Sequence, residues 1–318
     1  MTRILITGAA GFLGSRLLAR LLDQGELNGN PISEIILADL NVKPPQPKSQ
    51  IKLTLREGDL ADSDFVEELV SEQADSIFHL ASMLTLQAEQ NPSDAFKVNV
   101  EALLLLIDKA TNCPRVIFAS SIAIHGGDLP ENVTDNLNPI PETTYGTHKA
   151  INELLIADYS RLGRIDGRCL RLPIVVTRPG APTPAISDKV AEIIREPLNG
   201  TDIAVPLAQE TPLPLVSAGA VVDAFLILHN LPASDLPLKR ALNLPALTVT
   251  VAEIASGLKK SGATGTLTYE PDPQVQKIVD GWPRHFSSEK ADLLGLKPDP
   301  DIASLIKDYL TQRDLDRD

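Results

Sequence analysis

Short apolar runs alternate with helical stripes through the first half of the chain. Residues 3–7 (RILIT) read as a strand, and residues 12–22 follow with Leu13, Leu17 and Leu21 at helical spacing. Apolar runs at 34–40 (EIILADL), 51–55, 76–80 (SIFHL), 115–121 (RVIFASS) and 168–176 predict further strands. Helical patterns occupy 93–111 and 145–162. Strands alternating with helices imply right-handed crossovers and a parallel sheet, so the predicted class is α/β. After Pro173 the pattern loosens. Short apolar pieces are separated by Pro179, Pro182, Pro184, Pro197, Pro206, Pro212 and Pro214, with helices predicted at 188–196, 218–229 and 251–260. The chain is therefore divided into a main domain, 1–172, and a smaller lobe, 173–318, from which segments return to the main sheet. A stretch with three prolines at 43–48 reads as a surface loop.

Composition narrows the function classes. A length of 318 residues with 43% apolar content can bury a full core. The net charge of −13 has the wrong sign for a nucleic-acid binder or a partner of anionic membranes. Cys113 and Cys169 lie far apart without metal-ligand spacing, which fits a reducing compartment. Residues 4–6 are too short an apolar stretch for a secretory leader, and no run approaches the roughly 18 residues of a membrane span. A cytoplasmic location is expected. The histidines at 79, 125, 148, 229 and 285 show no paired spacing, so no metal site is expected. His148, next to Lys149 and so on another helix face, reads as exposed. Trp282 reads as packing within the smaller lobe.

The turn after the first strand carries candidate chemistry. Gly8, Gly11 and Gly14 stand in GAAGFLG, which also contains Phe12 and Leu13. Backbone without Cβ can approach a pyrophosphate, and the helix that opens there offers free N–H groups and a positive dipole end. The spacing points to a dinucleotide. Asp39 ends the second strand, 25 residues after Gly14, with no arginine directly after it. An acid there accepts hydrogen bonds from the adenosine ribose and repels a 2′-phosphate, which favours NAD over NADP. Asp59, in EGDL before Leu60, is a second candidate, for the adenine edge.

Tyr145 and Lys149 (YGTHK) lie four apart on a predicted helix and share one face. Ser120 and Ser121 end the strand before it. A tyrosine of ordinary pKa is a poor base at neutral pH, and a lysine one turn away should lower that pKa. The tyrosine then takes a proton from an alcohol while a hydride leaves its carbon, and a serine holds the substrate oxygen in line.

These residues resemble the extended short-chain dehydrogenase/reductases, the NAD-dependent epimerase/dehydratase group. GAAGFLG, Asp39, GDL at 58–60, HLA at 79–81, Asn99, Ser120, Ser121 and YGTHK fall in that family's order. The resemblance implies a Rossmann-type doubly wound parallel sheet with a C-terminal substrate-binding lobe. It implies a catalytic set of Ser121, Tyr145, Lys149 and Asn99, with Asn99 tied to a water relay. It places Leu80 and Ala81 along the cofactor and Pro173 near the nicotinamide. Residues 145–173, RPG at 178–180, IIREPL at 193–198, EPDP at 270–273 and GWPRHF at 281–286 resemble the D-erythronate dehydrogenases within that group. These oxidise the C2 hydroxyl of D-erythronate to 2-oxotetronate with NAD. HLASMLTLQAEQNP at 79–92 also resembles the L-threonine 3-dehydrogenases, and Thr85 stands where both relatives commonly carry serine.

The expected substrate is thus a small hydroxy acid. Its carboxylate needs donors, and Thr85 and Arg178 are the candidates, with Arg195 and Arg284 as further cations. Alternatives are an L-threonine 3-dehydrogenase, a sugar-nucleotide epimerase or reductase, and a non-catalytic NAD-sensing protein. The last class typically loses the tyrosine or the lysine, and this chain keeps both. Relatives usually form homodimers through two helices per subunit, and the apolar helix at 98–107 is compatible with that.

Overall fold

A computed structural model of the chain describes residues 1–42, 50–176 and 186–315, with side chains through residue 313. The proline loop at 43–48 and Arg178 with its RPG segment lie outside the described residues. The chain begins with β1 (Thr2–Thr7), α1 (Phe12–Gln24), β2 (Glu26–Leu27), β3 (Asn30–Asp39), β4 (Lys52–Glu57), α2 (Ser63–Ser71) and β5 (Ser76–His79). Next come α3 (Thr85–Gln90), α4 (Pro92–Phe96), a π-helical turn (Lys97–Glu101), α5 (Ala102–Lys109), β6 (Arg115–Ser121), β7 (Asn132–Val133), α6 (Thr144–Arg161) and β8 (Asp166–Leu172). The remainder holds β9 (Ile174–Val176), α7 (Ile186–Leu198), β10 (Ile203–Val205), β11 (Pro212–Ser217), α8 (Ala218–Asn230), β12 (Ala241–Asn243) and β13 (Leu247–Thr250). It ends with α9 (Val251–Lys260), β14 (Leu267–Tyr269), α10 (Pro273–Asp280), β15 (His285–Phe286), α11 (Glu289–Leu293) and α12 (Ile302–Leu315).

Two compact units emerge. The first comprises Met1–Ile124, Pro141–Arg171 and Val222–Leu242; the second comprises His125–Ile140, Leu172–Val221 and Asn243–Asp318. The main sheet runs β12-β8-β6-β5-β1-β3-β2, with β4 also on β3. β1 pairs in parallel with β3 and β5, β3 with β4, and β5 with β6. Chain order reverses at β1, so the carboxyl ends of β1 and β5 flank a switch point, where open α/β sheets bind ligands. Leu103, Leu106 and Ile107 of α5, Val66 and Leu69 of α2, and Ile156 of α6 pack with Leu5, Ile36, Val116 and Phe118 of the strands. The apolar positions of α5 are therefore spent largely on this core.

In the second unit, β11 runs antiparallel to β13 and parallel to β9. Ile193 and Ile194 of α7, Ile254 and Leu258 of α9, and Leu305 and Ile306 of α12 pack with Leu213 and Leu215 of β11. Trp282 packs against this cluster, as read from the sequence. A reciprocal capping box between Thr250 and Glu253 starts α9.

Three elements depart from the apolar pattern. The stretch 168–176 is two strands, because Pro173 has no N–H to continue a ladder; β8 lies in the main sheet and β9 in the β13-β11-β9 sheet. The helix expected at 93–111 is interrupted by the π-helical turn. The helix α2, unmarked by a long stripe, is started by Asp62, whose side chain accepts the Asp64 N–H. Among the described residues no helix is long and apolar enough to cross a membrane.

Candidate active site

The glycine turn lies at the switch point. Gly8 has φ +71°, and a Cβ there would stand 2.6 Å from the Ala81 nitrogen and 2.9 Å from the Leu80 carbonyl carbon. Glycine at this position lets the segment after β5 pass against the turn, which sets half-buried Leu80 and Ala81 beside it. A Cβ on Gly14 would stand 2.1 Å from the Gly8 oxygen, so only glycine lets α1 sit this close to the turn. Gly11 caps α1 with no side-chain bond, and the first turn, with Phe12 and Leu13, carries no acid. The positive end of the helix dipole is left for an anion.

Asp39 ends β3 beside this turn. Its Oδ2 accepts the Ala10 N–H at 2.9 Å, and its Oδ1 accepts the Leu40 N–H at 2.8 Å. These bonds fix the carboxylate and still leave lone pairs for ribose hydroxyls. The turn, helix terminus and acid together fit a dinucleotide. Asp59 is exposed and accepts the Ala61 N–H at 2.9 Å, which gives it a turn-forming role; Leu60 beside it is buried.

The second cluster lies in the same unit. Ser121, at the end of β6, lies near enough to the Tyr145 hydroxyl to act on its pKa, and its Oγ accepts the Ala123 N–H at 3.1 Å. A Cβ on Gly146 would stand 2.0 Å from the Ala123 oxygen, so glycine after Tyr145 allows α6 to start against the end of β6. Lys149 is buried, donates to the Ala119 carbonyl at 2.8 Å, and lies 4.7 Å from the Phe118 ring centre and 5.3 Å from that of Tyr145. Burial pulls Lys149 down to about 7. Burial also pushes Tyr145 up to about 12, partly offset by Ser121. The expectation that the lysine leaves Tyr145 with a lowered pKa is thus corrected for the protein alone: loss of hydration outweighs the opposing effect of Ser121.

Asn99 sits in the π-helical turn, a feature frequent at functional sites. Its Oδ1 accepts from the Met83 N–H at 2.7 Å and the Ser82 hydroxyl at 3.1 Å, and its Nδ2 donates to the Met83 carbonyl at 3.0 Å. The side chain clasps the segment that follows Leu80 and Ala81, while the Asn99 carbonyl receives Asn152 Nδ2 at 2.6 Å. His148 is buried rather than exposed, a correction of the sequence reading. The start of α6 packs on α3 and α4, so the flank beside Lys149 is also interior: His148 Nδ1 lies 3.4 Å from Asn99 Nδ2, and its ring meets Phe96 edge-on.

Thr85 opens α3 and is exposed. Arg195 belongs to the second unit and is buried, bonded to Asp188 and Glu196 at 2.8 Å each. Its charge is committed, which corrects its reading as a substrate donor. Arg284 is exposed and 3.8 Å from Glu131. Pro173 is buried between β8 and β9. The sequence reading gave no role to His79, whose Nδ1 lies 2.9 Å from Thr7 Oγ1, and which burial and the Lys149 charge pull down to about 3. It also missed Glu153 and Arg171, a buried ion pair beside Ser120; the available signal was charge inside an apolar helix flank and an apolar strand.

Comparison with known proteins agrees with this arrangement. The NAD dependent epimerase/dehydratase family matches residues 4–243. D-erythronate dehydrogenase from Cupriavidus necator is 38% identical over 96% of this chain and 97% of its own. The structure of a nucleoside-diphosphate-sugar epimerase from Agrobacterium tumefaciens superposes with a TM-score of 0.93 at 32% identity, covering 98% of this chain and 94% of that one. That of L-threonine dehydrogenase from Clostridium difficile gives 0.85 at 27% identity, covering 99% and 98%.

Proposed function

Because the chain belongs to the NAD dependent epimerase/dehydratase family, we propose that it is an NAD-dependent dehydrogenase that oxidises the C2 hydroxyl of D-erythronate to 2-oxotetronate. The observation that carries the chemistry is the joining of Ser121, Tyr145 and Lys149 at the end of β6 and the start of α6. Likeness to the Cupriavidus enzyme over nearly the whole of both chains supports the substrate.

Gly8, Gly11 and Gly14 with the first turn of α1 hold the pyrophosphate, Asp39 reads the ribose, and Leu80 and Ala81 line the cofactor. Asp59, Leu60 and Pro173 complete the proposed cofactor contacts. NAD, when bound, supplies the hydride acceptor and a cationic ring. Ser121 holds the substrate hydroxyl toward Tyr145, and the Tyr145 oxygen takes its proton. Lys149, titrating at about 7, both carries and releases a proton near neutrality, which suits it to draining the tyrosine. Asn99 keeps the 82–83 segment in place through its side chain. On sequence grounds, Thr85 and Arg178 receive the substrate carboxylate.

Purified protein with NAD is tested against D-erythronate, L-threonine and UDP-sugars by NADH absorbance. Turnover of D-erythronate well above the others is expected; preference for L-threonine replaces this assignment with the reading that the Clostridium structure favours. Tyr145→Phe is expected to lose about 10²-fold or more in kcat while still binding NAD. Near-normal turnover by that variant removes Tyr145 from its role. The proposed setting is a homodimer in the cytoplasm, the assembly to be checked by light scattering.

A further inference from the structure

Beside the catalytic cluster lies a second buried polar group that the proposed reaction does not use. Glu153 is four residues after Lys149 on α6 and is 6% exposed; Arg171 on β8 and Ser120 on β6 are each 2% exposed. Arg171 donates Nε to Glu153 Oε1 at 2.9 Å and Nη2 to Oε2 at 2.8 Å. Ser120 Oγ donates to Oε1 at 2.5 Å. One carboxylate therefore ties a helix to two strands. A buried pair of this kind is weak evidence for stability, since apolar residues of similar volume often serve equally well. Its position offers another reason for its presence. Ser120 stands between Ala119, whose carbonyl receives Lys149, and Ser121, which acts on Tyr145. Glu153 lies one turn from Lys149 on the same helix.

Building on the catalytic reading above, we propose that the Ser120–Glu153–Arg171 cluster positions the site and balances its charge: it locks α6 to the end of β6 and commits Glu153 to Arg171, so that Lys149 faces Ala119 and Tyr145 without a carboxylate of its own.

The groups around Lys149 make this choice consequential. His79 on β5 feels the Lys149 charge, the Phe118 ring of β6 lies 4.7 Å from its nitrogen, and Cys169 of β8 interacts with Lys149, Glu153, Arg171 and Arg240; α6 carries His148, on which Glu89 of α3 acts, and Glu153. His79 is held neutral at about 3, and burial keeps the Cys169 thiol protonated. Glu153, one helical turn on, is the carboxylate of α6 nearest in sequence to Lys149. Paired with Lys149, it would hold the lysine as a permanent ammonium. Paired with Arg171, it leaves Lys149 near 7, able to exchange its proton.

The two partners make opposite predictions, which separates charge balance from mere structural support. Lys149 is titrated in the NAD-free protein by carbon-13 NMR of Cε-labelled lysine, with its signal identified through Lys149→Met. In Glu153→Gln the Arg171 charge loses its Glu153 counter-charge, and the Lys149 midpoint is expected to fall by at least about half a unit. In Arg171→Met the Glu153 charge is released, and the midpoint is expected to rise by about one unit or more. The double variant is expected to return toward the parent midpoint. The acid limb of the kcat profile for D-erythronate with NAD should move in the same directions. Arg171→Lys, which keeps the charge but loses the fork, should keep the midpoint and lower kcat. If Arg171→Met does not fold, Ser120→Ala and Arg171→Lys with Glu153→Gln carry the test; Ser120→Ala should raise the midpoint, because it loosens Glu153 from its place.

Midpoints that stay within about 0.2 unit of the parent in Glu153→Gln and Ser120→Ala, or that move the same way in both members of the ion pair, overturn the inference. A Tyr145→Phe variant that turns over normally removes the catalytic reading instead. A dead Tyr145→Phe with unshifted Lys149 midpoints overturns only the role of the cluster.

Discussion

Lys149→Met should make the protein more stable while it abolishes turnover. Lys149 titrates at about 7 in the folded chain against an ordinary value of 10.5. The unfolded chain therefore binds the extra proton between those values, and stability rises with pH across that window. At about 1.4 kcal/mol per unit, the buried ammonium costs the fold roughly 5 kcal/mol when both states are protonated. By pH 9 the cost has fallen to roughly 2 kcal/mol. Methionine keeps the length of the side chain and its packing on Phe118, but it loses the 2.8 Å bond to the Ala119 carbonyl, worth about 1–2 kcal/mol with the carbonyl left unpaired. The variant should gain about 3 kcal/mol at pH 6 and come close to the parent near pH 9. Urea unfolding followed by circular dichroism at pH 6, 7, 8 and 9 reads the difference directly. A variant less stable than the parent at pH 6, or a gap that does not change with pH, refutes the account of a lysine strained by burial.

Two further outcomes concern the cofactor turn. Gly14→Ala puts a methyl 2.1 Å from the Gly8 carbonyl, which is backbone and cannot swing aside, so NAD binding by calorimetry should be lost and the melting temperature should fall; unchanged affinity shows that the turn can open without consequence. Asp39→Ala removes the acceptor of the Ala10 and Leu40 N–H groups together with the proposed ribose contact. NAD should bind roughly ten- to a hundred-fold more weakly, on the scale of a charged hydrogen bond, and the preference over NADP should narrow; an unchanged NAD to NADP ratio removes Asp39 as the reader of the ribose.

What the sequence made readable was local. GAAGFLG needs only its own backbone and the adjoining strand and helix to produce a turn, and Asp39 needs only the end of β3. YGTHK needs one helical turn to align Tyr145 with Lys149. The start of the helix Val251–Lys260 is fixed locally, because Thr250 and Glu253 cap it within four residues. The strand at 168–176 failed at Pro173 because an apolar run does not say which sheet each half joins. The helix at 93–111 failed because a π-helical turn inserts a residue without changing which residue types are apolar. There the pull comes from Asn99, whose side chain reaches back to Met83, a partner 16 residues away.

His148 and Glu153 show why the interior of the site stayed hidden. An exposed-face reading treats α6 as a helix with one buried stripe. In this chain α6 is the wall between β6 and the α3–α4 segment, so the polar residues on two of its flanks are buried: His148 meets Phe96 and Asn99, and Glu153 meets Ser120 and Arg171. Buried polar groups need partners, and here the partners lie 18 to 52 positions away, in segments whose own patterns are apolar strands or short helices. Periodicity cannot join such pairs, because each half is chemically unremarkable until the other is beside it. The same distance in sequence makes the site tunable. Ser120, Glu153 and Arg171 can change the charge around Lys149 without touching the motif that marks it, so two chains with the same Tyr145–Lys149 spacing need not share a working pH.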